Sequence, residues 1–184
     1  MRVISGYLKG RKIDGYNVET TRPTMDRVKE SMFASIQNDI DESVVLDLFC
    51  GSGSLGIEAI SMGSSRCYFV DNNRNILKYL NKNIDTLGIK GKSNVIEKDY
   101  REALLYFKNN NIRFNIILVD APYKLEVMEE IIKLVNEYNS LYDNGLLILE
   151  YSFDKLGENY GDLKLIRNKK YSDKFVNIYR KVID

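Results

Sequence analysis

Val44-Val45-Leu46-Asp47-Leu48-Phe49 runs directly into Cys50-Gly51-Ser52-Gly53-Ser54-Leu55-Gly56, and this junction decides the fold. The first six residues read as a buried strand, and the glycines that follow satisfy G-x-G-x-x-G at the opening of a helix. On its own the pattern is weak. Its physical content is a tight turn whose backbone can approach a ligand closely, in a crevice at the C-terminal end of a first strand.

From residue 44 onward, short apolar runs alternate with helical patterns. Further strands are expected at Cys67-Tyr68-Phe69-Val70, Asn94-Val95-Ile96-Glu97, Asn115-Ile116-Ile117-Leu118-Val119 and Leu146-Leu147-Ile148-Leu149-Glu150. Ile76, Leu77, Leu80, Ile84 and Leu87 recur at helical spacing before Gly88, as do Met128, Ile131, Ile132 and Val135 after Tyr123. Such stripes face a core. Leu163-Lys164-Leu165-Ile166 and Phe175-Val176-Asn177-Ile178-Tyr179, separated by polar Lys169-Lys170-Tyr171-Ser172-Asp173, read as a closing antiparallel hairpin. The expected fold is α/β, a doubly wound, mostly parallel seven-stranded sheet. The first 40 residues stand outside the alternation: Arg2 to Gly6 and Leu8 to Ile13 suggest a small β-hairpin, and Thr24 is placed to cap a helix with Val28, Met32, Phe33 and Ile36 on its apolar face. Residues 1–40 are therefore taken as an appendage and 41–184 as the main domain.

Composition narrows the chemistry. The 184 residues are 44% hydrophobic and 29% charged, enough for one core without disulfides or structural metals. With no His and only Cys50 and Cys67, a Ser-His-Asp triad, a Cys-His dyad and a zinc site are excluded, and no metal is expected. Catalysis must rest on carboxylates, Tyr, Lys or backbone. No apolar run approaches the roughly 20 residues that span a bilayer, so a soluble, cytoplasmic monomer is expected. The net charge of +1 conceals basic ends: residues 1 to 35 carry seven Lys/Arg against four acids, and 164 to 181 carry seven against one. Ends folded to one side would offer a footprint for a polyanion; ordinary solvated lysines are the plainer reading.

The acidic strand ends carry the ligand argument. Asp47 suits a cationic amino-acid moiety and would repel a pyrophosphate, which favours S-adenosylmethionine over a dinucleotide. Asp71, at the end of strand two, can accept from ribose hydroxyls of either ligand. Asp99-Tyr100 ends strand three where an adenine would lie, although Asp99 is equally placed to cap the next helix. Strand four ends in Asp120-Ala121-Pro122-Tyr123. Pro122 restricts Ala121 to extended geometry, so Asp120 and Tyr123 can converge on a planar base amine, the carboxylate stabilising charge that develops on nitrogen and the ring stacking on the base. A strand-end turn with a buried Tyr is the competing structural account.

These segments, with Arg22-Pro23-Thr24-Met25-Asp26-Arg27-Val28-Lys29-Glu30, resemble the bacterial 16S ribosomal RNA guanine-N2 methyltransferases of the RsmD type over essentially the whole chain. The resemblance implies a class I, Rossmann-like methyltransferase that transfers a methyl group from S-adenosyl-L-methionine to the N2 amine of one guanine in the small ribosomal subunit or its assembly intermediate. It maps the cofactor pocket onto Asp47, Phe49, Gly51, Gly53, Asp71, Asn72, Asp99 and Tyr100, with Thr24 and Arg27 near the methionine end. Asp120, Pro122 and Tyr123 would be catalytic, and Arg2, Lys9, Arg11, Lys12 and Arg22 would contact RNA phosphates. The family usually has a second proline where this chain has Ala121. The rivals are an adenine-N6 methyltransferase, since the tetrapeptide serves any exocyclic amine, an NAD-dependent oxidoreductase and a non-catalytic RNA-binding module.

Overall fold

The computed structural model describes residues 1–15, 23–121, 124–152 and 156–183, the side chains of Pro23 and Thr24 excepted. Five strands run parallel: β1 (Val44–Asp47), β2 (Arg66–Asp71), β3 (Ser93–Glu97), β4 (Phe114–Asp120) and β5 (Leu141–Tyr151). They are followed by β6 (Asn159–Tyr160), β7 (Leu163–Tyr171) and β8 (Lys174–Lys181), all paired antiparallel. The sheet order is β3-β2-β1-β4-β5-β8-β7-β6, so the winding reverses between β1 and β4. A ligand crevice opens at such a reversal, above the C-terminal strand ends.

The strands are apolar on both sides because both sides are covered. Ile116 and Leu118 of β4 belong to one buried cluster, Ile117 and Val119 to the other, which is the period-two alternation of a pleated strand. Helices α1 (Pro23–Ser35), α3 (Ser54–Ser61) and α4 (Arg74–Leu87) bury Phe33, Ile57 and Leu80 in the first cluster. Helices α5 (Tyr100–Asn109) and α6 (Leu125–Glu137) bury Phe107 and Ile131 in the second. The short α2 (Gln37–Ile40) buries Ile40 ahead of β1. Asn73 caps α4 by accepting from the Asn75 and Ile76 amides, and Gly88 closes it at φ 68°.

Three expectations require correction. The sheet has eight strands, not seven, because β6 is only two residues long and too short to show an alternation. The closing hairpin turns only at Ser172-Asp173: β7 continues through Lys169, Lys170 and Tyr171, since an exposed edge strand needs no apolar face. Thr24 does not cap α1; the helix begins at Pro23, whose fixed φ suits the first helical position.

The expected N-terminal hairpin is reduced to a turn-rich loop whose two arms meet at one antiparallel bridge, Arg2 to Lys12, with the Val3 amide donating to the Arg11 carbonyl and the Ile13 amide to the Met1 carbonyl (both 2.9 Å). Val3, Leu8 and Ile13 are buried in the first core cluster. The loop lies along α3. The Tyr7 amide donates to the Ser61 carbonyl (3.0 Å) at the C-terminal end of that helix, while the Ile4 and Ser5 amides donate to Glu58 in its middle (3.1 and 2.7 Å).

Candidate active site

At the strand ends lies a cavity of about 480 Å³. Leu48, Phe49 and Gly51 line it from the turn after β1, Asp71 and Asn72 from the end of β2, Lys98, Asp99 and Tyr100 from the passage between β3 and α5, and Asp120 from the end of β4. Ile76 and Val127 supply apolar wall. The structure thus brings together seven of the residues singled out in the sequence.

The Gly-rich turn is held from below and from the side. Asp71 Oδ2 accepts from the Gly51 amide (3.0 Å) and Oδ1 from the Asn73 amide (2.9 Å), which ties the first turn to the second. A carboxylate offers about four acceptor positions, so two remain for ligand hydroxyls. Gly53 sits at φ 94° before α3, and a Cβ there would meet Leu80 Cδ1 at 2.4 Å. A Cβ on Gly56 would meet Phe69 Cε1 at 2.4 Å and Cys67 Sγ at 2.7 Å. The second and third glycines therefore let α3 pack against β2 and α4, a task separate from touching a ligand.

Asp47 sits inside the end of β1. It is 1% exposed, lies beneath the turn outside the cavity wall, and its Oδ2 accepts from the Gly56 amide (2.9 Å). Its Oδ1 has no hydrogen-bond partner among the described residues. Burial pushes this carboxyl from 3.8 up to about 7, and the like charges of Asp120 and Asp71 add to the rise. A cation above the turn would relieve the repulsion among these carboxylates.

Asp99 does cap α5, accepting from the Glu102 amide (2.9 Å), and it also lines the cavity, so both of its proposed uses are geometrically open. The Tyr100 hydroxyl donates to Glu130 Oε2 (2.7 Å), and Arg101 grips the same carboxylate at 2.6 and 2.7 Å. That fork fixes the Tyr100 ring, whose centroid lies 5.6 Å from that of Phe49.

Asp120 is paired across the sheet with Glu150, which in turn pairs with Val176. Burial first, then the Glu150 charge, pushes Asp120 up to about 6, while Lys174 pulls it back. Lys174 Nζ holds Glu150 Oε1 at 2.5 Å. Asp120 is thus a carboxylate at neutral pH, yet one that gains from hydrogen-bond donors brought by a substrate. Burial pushes the Cys50 and Cys67 thiols up, away from the reactive thiolate.

Other expected residues lie elsewhere. Arg27 is exposed on α1 and does not line the cavity. Pro122, Tyr123, Arg22 and the Thr24 side chain lie outside the described residues. Of the four N-terminal bases, Arg2 donates to the Gly10 carbonyl (2.7 Å), Arg11 to the Thr86 carbonyl near the end of α4 (2.9 Å), and Lys12 pairs with Asp14 (3.4 Å); Lys9 is exposed.

One arrangement was missed in the sequence. Lys29 Nζ, 6% exposed, donates to Glu58 Oε2 (3.2 Å), Ser54 Oγ (3.1 Å) and the Arg2 carbonyl (3.3 Å), which uses all three ammonium protons. It bolts α1 and the N-terminal loop onto the first turn of α3. The available signal was a lysine on the apolar face that holds Met32, Phe33 and Ile36, matched by a lone carboxylate in the apolar Ile57-Glu58-Ala59-Ile60.

Among the described residues no helix is long and apolar enough to cross a membrane, and no group of three or more His, Cys, Asp or Glu is placed to hold a metal ion.

Comparison with known proteins agrees with this geometry. Residues 1–180 match the family model "Conserved hypothetical protein 95". The chain is 38% identical to the Bacillus subtilis protein named "Putative rRNA methyltransferase YlbH", over 98% of this chain and 99% of that one. It is 36% identical to Ribosomal RNA small subunit methyltransferase D of Haemophilus influenzae, over 84% of this chain and 80% of that one. Among solved structures, "Putative methyltransferase yhhF" from Escherichia coli superposes with a TM-score of 0.87 at 28% identity, covering 100% and 99% of the two chains. The acid-lined crevice and these likenesses agree: the chain belongs to the Conserved hypothetical protein 95 family, that of the RsmD- and YlbH-like ribosomal RNA methyltransferases.

Proposed function

We propose that this protein transfers a methyl group from S-adenosyl-L-methionine to the exocyclic N2 amine of a guanine in 16S rRNA of the small ribosomal subunit. The observation that carries the reading is the single cavity lined by Asp71, Asp99 and Asp120 over the buried Asp47. Lys98 and Arg101 also line the cavity, but Arg101 is neutralised by Glu130, so the three carboxylates above Asp47 leave the bowl net acidic, which disfavours the pyrophosphate of NAD and favours a cationic ligand. Asp71 has acceptor capacity for ribose hydroxyls, Asp99 for an adenine amine, and Phe49, Ile76, Tyr100 and Val127 provide apolar contact for a base. The buried Asp47 carboxylate adds negative potential beneath the turn, which favours a positive group above it. When bound, S-adenosylmethionine supplies an electrophilic methyl carried on a cationic sulfonium.

The chain's own residues then act on the acceptor. An aryl amine is a poor nucleophile because its lone pair is delocalised, and attack places positive charge on nitrogen. Asp120 holds the amine by accepting one N–H, points the lone pair at the methyl, stabilises the charge that develops as the nitrogen–carbon bond forms and the sulfur–carbon bond breaks, and can take up the surplus N–H proton for release to water. Pro122 and Tyr123 are assigned, from the sequence, to stiffening the loop and stacking on the base. The small-subunit rRNA target rests on likeness to ribosomal RNA small subunit methyltransferase D, and the guanine N2 position on the family resemblance of the sequence.

The test is incubation of undermethylated small subunits with radiolabelled S-adenosylmethionine, followed by nuclease digestion and mass spectrometry. N2-methylguanosine is expected. N6-methyladenosine would move the enzyme to the adenine class, and NAD binding in calorimetry without binding of S-adenosylhomocysteine would overturn the cofactor.

A further inference from the structure

The acid-lined cavity that suits a cationic cofactor repels the polyanion that carries the acceptor base, so something beside it must hold the phosphates. Topology decides which basic segment can do so. Strand β8 runs antiparallel to β5 and therefore starts at the end of the sheet where β5 and β4 finish. The two-residue turn then forces β7 to finish at that same end. Asp120, Glu150, Val176 and Lys169 form one register row across β4, β5, β8 and β7. Three strand spacings put Lys169 about 14 Å from Asp120, beyond the roughly 8 Å screening length at physiological salt, so the cavity's carboxylates do not cancel its field.

The seven bases of residues 164 to 181 divide by partner. Lys174, Arg180 and Lys181 pair with Glu150, Asp39 and Asp143. Lys164, Arg167, Lys169 and Lys170, all on β7, are exposed and have no acidic partner among the described residues. Beyond the Leu165 amide, which donates to the Glu158 carbonyl, the strand is an open sheet edge among the described residues. At its cavity end Lys169 lies over the Tyr171 ring at 5.0 Å on the face of the first cluster, where it also donates to Ser31 Oγ of α1 (3.1 Å), and Lys170 lies over the Phe175 ring at 5.3 Å on the opposite face, so the two ammoniums flank the strand edge. Lysines also guard open edges against strand pairing. That duty does not require two ammoniums steadied over half-buried rings on both sides of the edge at the end facing the site, a placement suited to phosphate contacts.

Of the N-terminal bases, Lys9 and Arg11 face the other way, whereas Arg2 lies nearer the first turn of α3, where Lys29 joins its carbonyl to Ser54. The Gly6–Gly10 tip docks at Ser61, and Arg11 reaches Thr86, both at the C-terminal ends of their helices and hence at the edge of the sheet opposite the cavity.

Resting on the functional reading above, we propose that the cavity end of β7, with Lys169 and Lys170 as its principal contacts, holds the rRNA phosphodiester backbone within a few nucleotides of the base delivered to Asp120. Phosphate contacts of this kind set register, and the base itself is splayed into the cavity.

The experiment compares wild type, Lys169→Ala/Lys170→Ala, the charge-keeping Lys169→Arg/Lys170→Arg and the far-end Lys9→Ala/Arg11→Ala. Each is measured for KM and for sedimentation binding to undermethylated small subunits between 50 and 200 mM salt. The alanine pair on β7 should raise KM roughly tenfold at low salt, with S-adenosylhomocysteine affinity unchanged. Two lost contacts lower the salt slope by about 1.4 for single-stranded RNA, so the gap to wild type should narrow about sevenfold over that range. The arginine pair should restore both quantities, and the far-end pair should leave the slope alone. Unchanged KM and slope for the β7 alanine pair overturn the proposal, as does a slope carried by Lys9 and Arg11. A wild-type chain that methylates nothing in the particles overturns the functional reading instead, while the sedimentation slopes still test the surface.

Discussion

Asp47→Asn should make the ligand-free protein more stable and the enzyme worse. The folded protein holds the Asp47 proton up to about pH 7, whereas the unfolded chain releases it near 3.8. The native state therefore binds more protons than the unfolded state between these values, and stability falls as pH rises through the window. The full penalty, complete above pH 7, is of order 4 kcal/mol at 1.36 kcal/mol per unit. At pH 5 roughly 2 kcal/mol of it is already present, so the advantage of Asn over Asp should grow by roughly 3 kcal/mol from pH 5 to pH 8. An asparagine oxygen can still accept from the Gly56 amide, so the turn keeps its tie. In a domain of this size that growth corresponds to a Tm difference that widens by roughly 6 to 12 °C. Thermal and urea melts of both proteins across pH 5 to 8 read it directly, and calorimetry with S-adenosylhomocysteine should show weaker binding by the variant. Parallel stability curves for the two proteins would refute the account of Asp47 as a buried, strained carboxylate.

Asp120 predicts the acidic limb of activity: with its carboxyl raised to about 6, the rate should fall tenfold per unit below that pH, and Lys174→Met should shift the limb upward because the cation that pulls Asp120 down is gone. An acidic limb unmoved by Lys174→Met would remove Asp120 from the rate. Lys29→Met leaves Glu58 buried with only backbone donors, which should lower stability by about 3 to 5 kcal/mol in urea denaturation. A loss under 1 kcal/mol would mean that the loop and α1 do not depend on that ion pair.

What could be read in the sequence was whatever a local pattern carries. The strand-turn-helix junction at Val44–Gly56 was legible because a buried strand, two helix-packing glycines and an acidic strand end coincide within thirteen residues. The core stripes of α4 and α6 fell where 3.6-residue periodicity put them, at Leu80 and Ile131. Lys29 and Glu58 were passed over because 29 residues separate two charges that are each out of place alone. Asp47 was legible as an acid at a strand end but not as a buried one, since its burial depends on α3 closing over it through Gly56.

The basic segments show where a long-range argument was available. Both ends of the chain carry an excess of Lys and Arg, and charge alone cannot rank them. The direction of the strands can. Once the last two strands are granted to be an antiparallel hairpin beside a strand that ends at the crevice, its turn must fall at the crevice, so Lys169 and Lys170 are carried to the site by connectivity. No such rule binds the N-terminal loop, whose direction is set by contacts with Glu58, Ser61 and Thr86 that lie 53 to 75 residues away. Those contacts turn its tip toward the opposite edge of the sheet. Under the proposal that the β7 edge holds the rRNA, a net charge of +1 is compatible with a polyanion substrate, because the topology brings Lys169 and Lys170 to the cavity end of the sheet, three strands from Asp120.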